Sequence, residues 1–294
     1  MEIETIKGSF EEWSSFRKKH KFSSDTEYSM FGVSSDACTD TSTSILAKND
    51  GKLVGVIVFK MAVLQKKDYL QITAFLSDSL EVAQLLVEKL LILYKENKAN
   101  FILTPYLKHE SYEARALSRW KEYEQIFGSS KSTLMNRISS STIEYIQMNK
   151  TNRRSYSRIF NDLLLEFDSQ ENKGLNESAG ENILPTNLRK ESKHRIRISY
   201  FISNVVSDKS WYAYLMLDDD EEVIGFVKGK YRQTKTMLVD FFITDKTASD
   251  TSLMTFLKNT PNADILMVTS KKNDHWNLYK RWFGKSSGCS FFYS

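Results

Sequence analysis

Trp276-Asn277-Leu278-Tyr279-Lys280-Arg281-Trp282-Phe283-Gly284-Lys285-Ser286 spaces its landmarks as Trp, two residues, Tyr, three residues, Phe-Gly, one residue, Ser. The same spacing occurs at Trp120, Tyr123, Phe127, Gly128 and Ser130, 156 residues earlier. A second pair agrees in order: Leu53-Val54-Gly55-Val56-Ile57 with Lys60, and Val223-Ile224-Gly225-Phe226-Val227 with Lys230, offset by 170. Two matched blocks at similar offsets point to a duplicated unit, and internal repetition decides the architecture before any other signal. The 294 residues then divide into two domains of ordinary size. A polar run at Ser139 to Thr142 marks the boundary, giving 1–138 and 143–294.

Outward from these blocks, each half reads as strand, helices, β-hairpin, strand, helix, strand, helix, strand. In the first half the hairpin is Ser44–Lys48 and Leu53–Leu64 around Asn49-Asp50-Gly51, a strong turn signal. Tyr69–Leu76 is a strand, Val82–Lys95 a helix and Phe101–Thr104 a short strand. A helix is expected over Ser111–Ile126 and a last strand over Met135–Ile138. In the second half the expected elements are a strand at Ile143–Met148, a helix at Arg154–Phe167 and a mobile loop at 168–182. A helix from Pro185 to about Val206 follows, then the hairpin strands Trp211–Leu217 and Val223–Lys230. The chain closes with strand Met237–Thr244, helix Leu253–Asn259, strand Ile265–Thr269, helix Asp274–Phe283 and strand Ser290–Tyr293.

Composition excludes several classes. Hydrophobic residues make up 41% and aromatics 13%, enough for two cores. Net charge is +4, spread as 19 basic against 18 acidic residues in 1–142 and 22 against 19 in 143–294, so neither half has a DNA-binding excess. Two cysteines, Cys38 and Cys289, argue against a disulfide framework and for a reducing cytoplasm. No signal-peptide pattern opens the chain, and the longest apolar run, Leu85–Leu93, is interrupted by Glu88 and Lys89, so no membrane span is expected. The abundance of Lys, Asn, Ser and Ile suggests an AT-rich bacterial source. No zinc spacing, Walker loop, nucleophile elbow or dinucleotide fingerprint occurs. The four histidines, His20, His109, His194 and His275, are scattered, so no metal site is expected.

This order of elements resembles the GCN5-related N-acetyltransferase (GNAT) family. The resemblance rests on Leu266-Met267-Val268, Asn273, Leu278-Tyr279 and Phe283-Gly284, on the hairpin Val223-Ile224-Gly225-Phe226, and on the strand Leu238–Thr244. It covers 143–294 well and 1–138 more weakly. It implies an α/β fold of two tandem GNAT-like domains, each a mixed, mostly antiparallel sheet flanked by helices. It also implies acyl transfer from acetyl-CoA to a small-molecule or peptide amine, with the C-terminal domain active and the N-terminal one degenerate. By this resemblance the backbone of Phe241, Phe242, Ile243 and Thr244 holds the pantetheine arm of coenzyme A. Lys246, Ala248, Ser249, Thr251 and Ser252 face its pyrophosphate, and Asn273 touches the arm or caps the next helix. Tyr279 is the general acid for the leaving thiolate, or else a core aromatic, and Asp240 a general base, or else a solvent-facing acid.

One departure stands out. The family's glycine-rich pyrophosphate loop is replaced by Asp245–Ser252 in the second half and by Ser77-Asp78-Ser79-Leu80-Glu81 in the first, both without glycine and both with acids. That keeps two other readings open, a non-catalytic protein retaining the fold and an aminoacyl-tRNA-dependent transferase. The basic stretch Arg189, Lys190, Lys193, Arg195 and Arg197 is a solvated helix face, or else a site for an acidic acceptor or an RNA.

Overall fold

A computed structural model describes residues 1–20, 37–64, 67–138, 141–179, 210–232, 235–269 and 273–294. The basic stretch at 189–197 lies outside them. By internal contacts the chain forms two units. The first is built mainly from Met1–Gln125 and Ser287–Ser294, the second mainly from Ile126–Asn176 and Thr186–Ser286.

The first unit begins with β1 (Glu2–Lys7) and α1 (Trp13–Lys19), whose Trp13 and Phe16 are its buried anchors. β2 (Thr43–Asn49), β3 (Lys52–Leu64) and β4 (Lys67–Ser77) form an antiparallel meander extended by β1 on its outer edge. Asp50 and Gly51 both take positive φ in the β2–β3 turn, as Asn-Asp-Gly predicts. Helix α2 (Leu80–Glu96) follows, capped by the Ser79 side chain accepting from the Val82 N–H. Its buried face, Val82, Ala83, Leu86 and Leu90, packs on β2, β3 and β4 in one core. Then come β5 (Ile102–Leu103), β6 (Leu107–Lys108), the short helix α3 (Tyr112–Ala116) and β7 (Lys121–Ser130).

β7 corrects the expectation for this stretch. Trp120, Tyr123, Phe127 and Gly128 belong to a strand and its approach, whereas their counterparts Trp276 to Phe283 form a helix. The shared spacing is therefore a coincidence of sequence. An i, i+3, i+7 set of aromatics marks one face of a helix, but three anchors in ten residues do not exclude a strand. In the structure Tyr123 stacks toward Phe292 and Phe127 lies edge-on to Tyr279. Residues 131–137 also differ: they form helix α4 (Lys131–Arg137), started by Ser130 accepting from the Thr133 N–H, with Leu134 buried.

The second unit continues with β8 (Tyr145–Gln147) and α5 (Arg153–Ala179). Helix α5 runs through 168–179, where a loop was expected; Glu, Gln, Lys and Leu there are good helix formers and outweigh Gly174. Phe160 and Leu164 of α5 bury against Phe226 and Phe242. β9 (Trp211–Leu217), β10 (Val223–Tyr231) and β11 (Thr236–Ile243) form a second antiparallel meander. A 3-10 turn (Lys246–Ala248) leads to α6 (Ser249–Lys258), then β12 (Asp264–Thr269) and α7 (Trp276–Phe283). The last strand, β13 (Gly288–Tyr293), belongs to the first unit, where it pairs antiparallel with β5 and β6.

The second repeated pair is genuine. Gly55 and Gly225 both sit early in the middle strand of a meander, opposite Ser77 and Ile243 at the end of its third strand. A Cβ on Gly225 would lie 2.2 Å from the Phe242 carbonyl oxygen, and one on Gly55 would lie 2.4 Å from Val82 Cγ1. Glycine is required at both because another group occupies the side-chain volume.

Candidate functional site

Each unit opens a crevice in the same way. β4 pairs in parallel with β5 only at Leu70↔Ile102 and Gln71↔Leu103, yet β4 runs on to Ser77. β11 pairs in parallel with β12 only over Thr236–Leu238 and Asp264–Leu266, yet runs on to Ile243. Past these registers the far edges of β4 and β11 have no strand partner among the described residues. Strand alternation then decides which groups face the gap. The Asp78 N–H donates to Val54 O and the Thr244 N–H to Ile224 O, both inside the meander. One residue earlier, Ser77 and Ile243 therefore aim their backbone groups into the crevice.

In the second unit this edge is covered by α7. Asn273 Oδ1 accepts from the His275 N–H at 2.7 Å, and this local turn sets the His275 ring at the start of the helix. His275 Nε2 lies 3.1 Å from the Ile243 carbonyl oxygen and 3.5 Å from its nitrogen. Burial lowers the His275 pKa below the ordinary value, against the opposing pull of the Ile243 hydrogen bond. One turn later Tyr279, 2% exposed, donates its hydroxyl to Phe241 O at 3.4 Å. Its ring stacks on Trp282, which meets Phe241 edge-on. The crevice-facing groups of Phe241 and Ile243 are thus held by two side chains of one helix.

The pyrophosphate region follows suit. Asp245 accepts from the Thr247 N–H and hydroxyl, the first being the larger reason its carboxyl sits below the usual range. Asp250, in the first turn of α6, binds Arg281 and accepts from Trp282 Nε1 at 2.7 Å. Its charge is therefore already matched from α7. Ser249 and Ser252 are buried beside it with hydroxyls that have no hydrogen-bond partner among the described residues. Thr251 donates to Ala248 O, and Lys246 is exposed. Thr244 turns its hydroxyl back to Ile224 O.

Asp240 is not brought to Tyr279. Phe241 and Val239 share a core with Tyr279, whereas Phe242 packs on the α5 face. Asp240 alternates with Phe241 and so lies on the α5 side, ion-paired to Lys228. Lys228 and Lys230 in turn approach the Trp211 ring.

In the first unit the equivalent edge is covered by a carboxylate. Glu113 on α3 accepts from the Ser77 N–H at 2.6 Å and from the Ser77 hydroxyl at 2.8 Å, both on Oε1. Beside it lies a cavity of about 480 Å³, walled by Phe75 and Leu76 from β4 and by Pro105 and Leu107 from the segment after β5. His20 also lines it, contacting Asp78, which Lys19 pairs as well. Burial, the largest influence, lowers the His20 pKa.

His275 and Glu113 were not legible as site residues in the sequence. His275 is one scattered histidine, and Glu113 has the look of an acid in the first turn of a helix. Only the strand ends they cover give them a role. Among the described residues no cluster of three or more His, Cys, Asp or Glu could hold a metal ion, and no helix is long and apolar enough to cross a membrane.

No protein-family model matches the chain, and no curated protein matches it either. Solved structures do share its fold. A tandem GNAT protein from the clavulanic acid biosynthesis pathway aligns over 99% of this chain and 98% of its own, with a TM-score of 0.52 at 9% identity. A GCN5-related glucosamine N-acetyltransferase region in a fungal multi-domain GH3 β-N-acetylglucosaminidase aligns over 99% of this chain and 38% of its own, with a TM-score of 0.52 at 10% identity. The chain carries a tandem GNAT fold.

Proposed function

We propose that the chain is an acyltransferase that moves an acyl group from a coenzyme A thioester to an amine of a small molecule or peptide. The observation that carries this reading is the parallel strand pair that parts after Leu238 and Leu266, on a fold shared end to end with a tandem GNAT protein. The donor is assigned to the second unit, within the working half 143–294 whose last strand, β13, joins the first unit, and 1–138 is its degenerate partner. A pantetheine arm would take the hydrogen bonds of Phe241 and Ile243 that Tyr279 and His275 now hold. Phe242 and Thr244 keep that edge in register through β10. Lys246, with the small residues Ala248, Ser249, Thr251 and Ser252, would receive the pyrophosphate at the start of α6. Asn273 would act through the turn that places His275. Tyr279, released from Phe241, would protonate the departing thiolate. Asp240 would serve as base only after leaving Lys228.

Melting the protein with acetyl-CoA tests this, because a ligand that binds only the folded state raises the melting temperature by mass action. A rise is expected in the wild type, a similar one in Tyr279→Phe, and loss of turnover in Tyr279→Phe alone. A flat response in both the wild type and His275→Ala would sink the reading. One observation favours a second reading, a non-catalytic binding protein: in both units a side chain already occupies the strand end, Glu113 at Ser77 and His275 at Ile243. That flat response would be its signature.

A further inference from the structure

The first unit's cavity holds a carboxylate with no cation. Glu113 is 7% exposed, and its two hydrogen bonds come from neutral donors of one residue, Ser77. Among the described residues no lysine or arginine pairs with it. The nearby Asp78 is different, being matched by Lys19. Buried carboxylates are ordinarily matched by a positive charge, because burial without one is costly. The neighbouring His20 does not readily supply that charge, since its own burial favours the neutral ring.

The surroundings narrow what could. The wall formed by Phe75, Leu76 and Leu107 is apolar. The more exposed lining carries Arg115 and Lys108, with Glu110 as a single opposing charge. The cavity therefore offers a negative anchor inside, an apolar wall and, toward solvent, two cations against one carboxylate. Its volume of about 480 Å³ suits a small ligand. A diphosphate at the adjacent helix start would meet Asp78 and Glu81, and the Ser79 hydroxyl there already accepts from the Val82 N–H.

We infer that this cavity binds a small primary ammonium bearing an anionic group at its outer end, an amino acid or short peptide, with Glu113 as inner anchor and Arg115 and Lys108 as outer ones. The binding stands on the cavity alone; only the ligand's role as acyl acceptor rests on the acyl-transfer reading. The crevice that holds the donor in the second unit would hold an amine in the first.

Calorimetric titration of the full chain with lysine, with glycylglycine and with butylamine tests it. Lysine or glycylglycine should bind, and whichever binds tighter identifies a free amino acid or a peptide as the source. Glu113→Gln, whose amide oxygen can still accept from Ser77, should weaken binding by about tenfold or more, the value of one charge-assisted contact. Arg115→Ala should weaken lysine and glycylglycine while leaving butylamine unchanged. Melting of both variants checks that they fold. No binding of any of the three at millimolar concentration overturns the inference, as does binding that Glu113→Gln leaves unaltered. Acetyl-CoA binding that is lost in Glu113→Gln would put the donor in this cavity and overturn it too. Amine binding without any acetyl-CoA binding would instead defeat the acyl-transfer reading and leave this one standing.

Discussion

Gly225 shows how much one missing methyl can decide. The Phe242 carbonyl oxygen sits where its Cβ would go, and a backbone atom cannot swing aside. Gly225→Ala should therefore cost about 1–3 kcal/mol or more, by the measure of overpacked interiors. Gly55→Ala should cost less, because its obstacles are the side-chain ends of Val82 and Leu86. Denaturant melts of the two variants compare them directly, and equal losses would contradict the distinction. His275 gives a prediction in pH. Its folded pKa lies below the ordinary 6.5, so the unfolded chain binds the proton more readily. Its contribution is complete above pH 6.5 and is lost as pH falls toward the folded value. His20 adds a contribution of the same sign. His275→Gln should flatten the decline of stability below pH 6.5, and a variant as acid-sensitive as the wild type would show that the ring plays no such part. The repeated Gly after two apolar residues was visible in the sequence, but the crowding that requires it was not. The role of His275 was not, because it depends on a carbonyl 32 residues away that only the fold brings near.

At the level of elements, the hairpins and the helices α2, α6 and α7 were readable, whereas β7, α4 and the second half of α5 were not. Asn49-Asp50-Gly51 needs positive φ, and few other residues supply it. Helix α2 has seventeen residues of steady period with a serine cap. By contrast, Trp120 to Phe127 satisfies a helical spacing while forming β7, because a ten-residue window holds too few anchors to separate the periods. Its matching partner, α7, is where the strongest element-level prediction belongs. Asp250 ties α6 to α7 through Arg281 and the Trp282 indole, and Trp282 is buried. Asp250→Ala strands that indole N–H, at a cost of about 1–3 kcal/mol. Urea unfolding of Asp250→Ala measures it. The loss should shrink in Asp250→Asn, whose side-chain oxygen can still accept. The acid that the sequence presents as an obstacle to an anion is thus a fastener between two helices, which residue type alone does not disclose.

On the scale of the whole chain, the grouping in space and the order of sequence disagree. Two tandem GNAT-like halves suggest two units, one after the other. Yet β13 carries Cys289, Phe291 and Phe292 into the first unit, where the Phe291 N–H donates to the Thr104 hydroxyl and Phe292 stacks on Phe101. Deleting residues 287–294 should therefore expose amides of β4, β5 and β6 more than those of β9 and β10. Hydrogen exchange read by mass spectrometry checks this, and protection lost mainly from β9 and β10 would refute it. Nothing in the local sequence of Gly288–Tyr293 names its partners, since an apolar strand fits many edges. The same strand has a consequence during synthesis. Residues 1–125 leave the ribosome long before their final strand exists. At the usual pace of translation that strand follows after roughly ten to thirty seconds. Through that interval the nascent chain carries an unfinished sheet edge at β5, the kind of edge that chaperones shield and that neighbouring chains can capture.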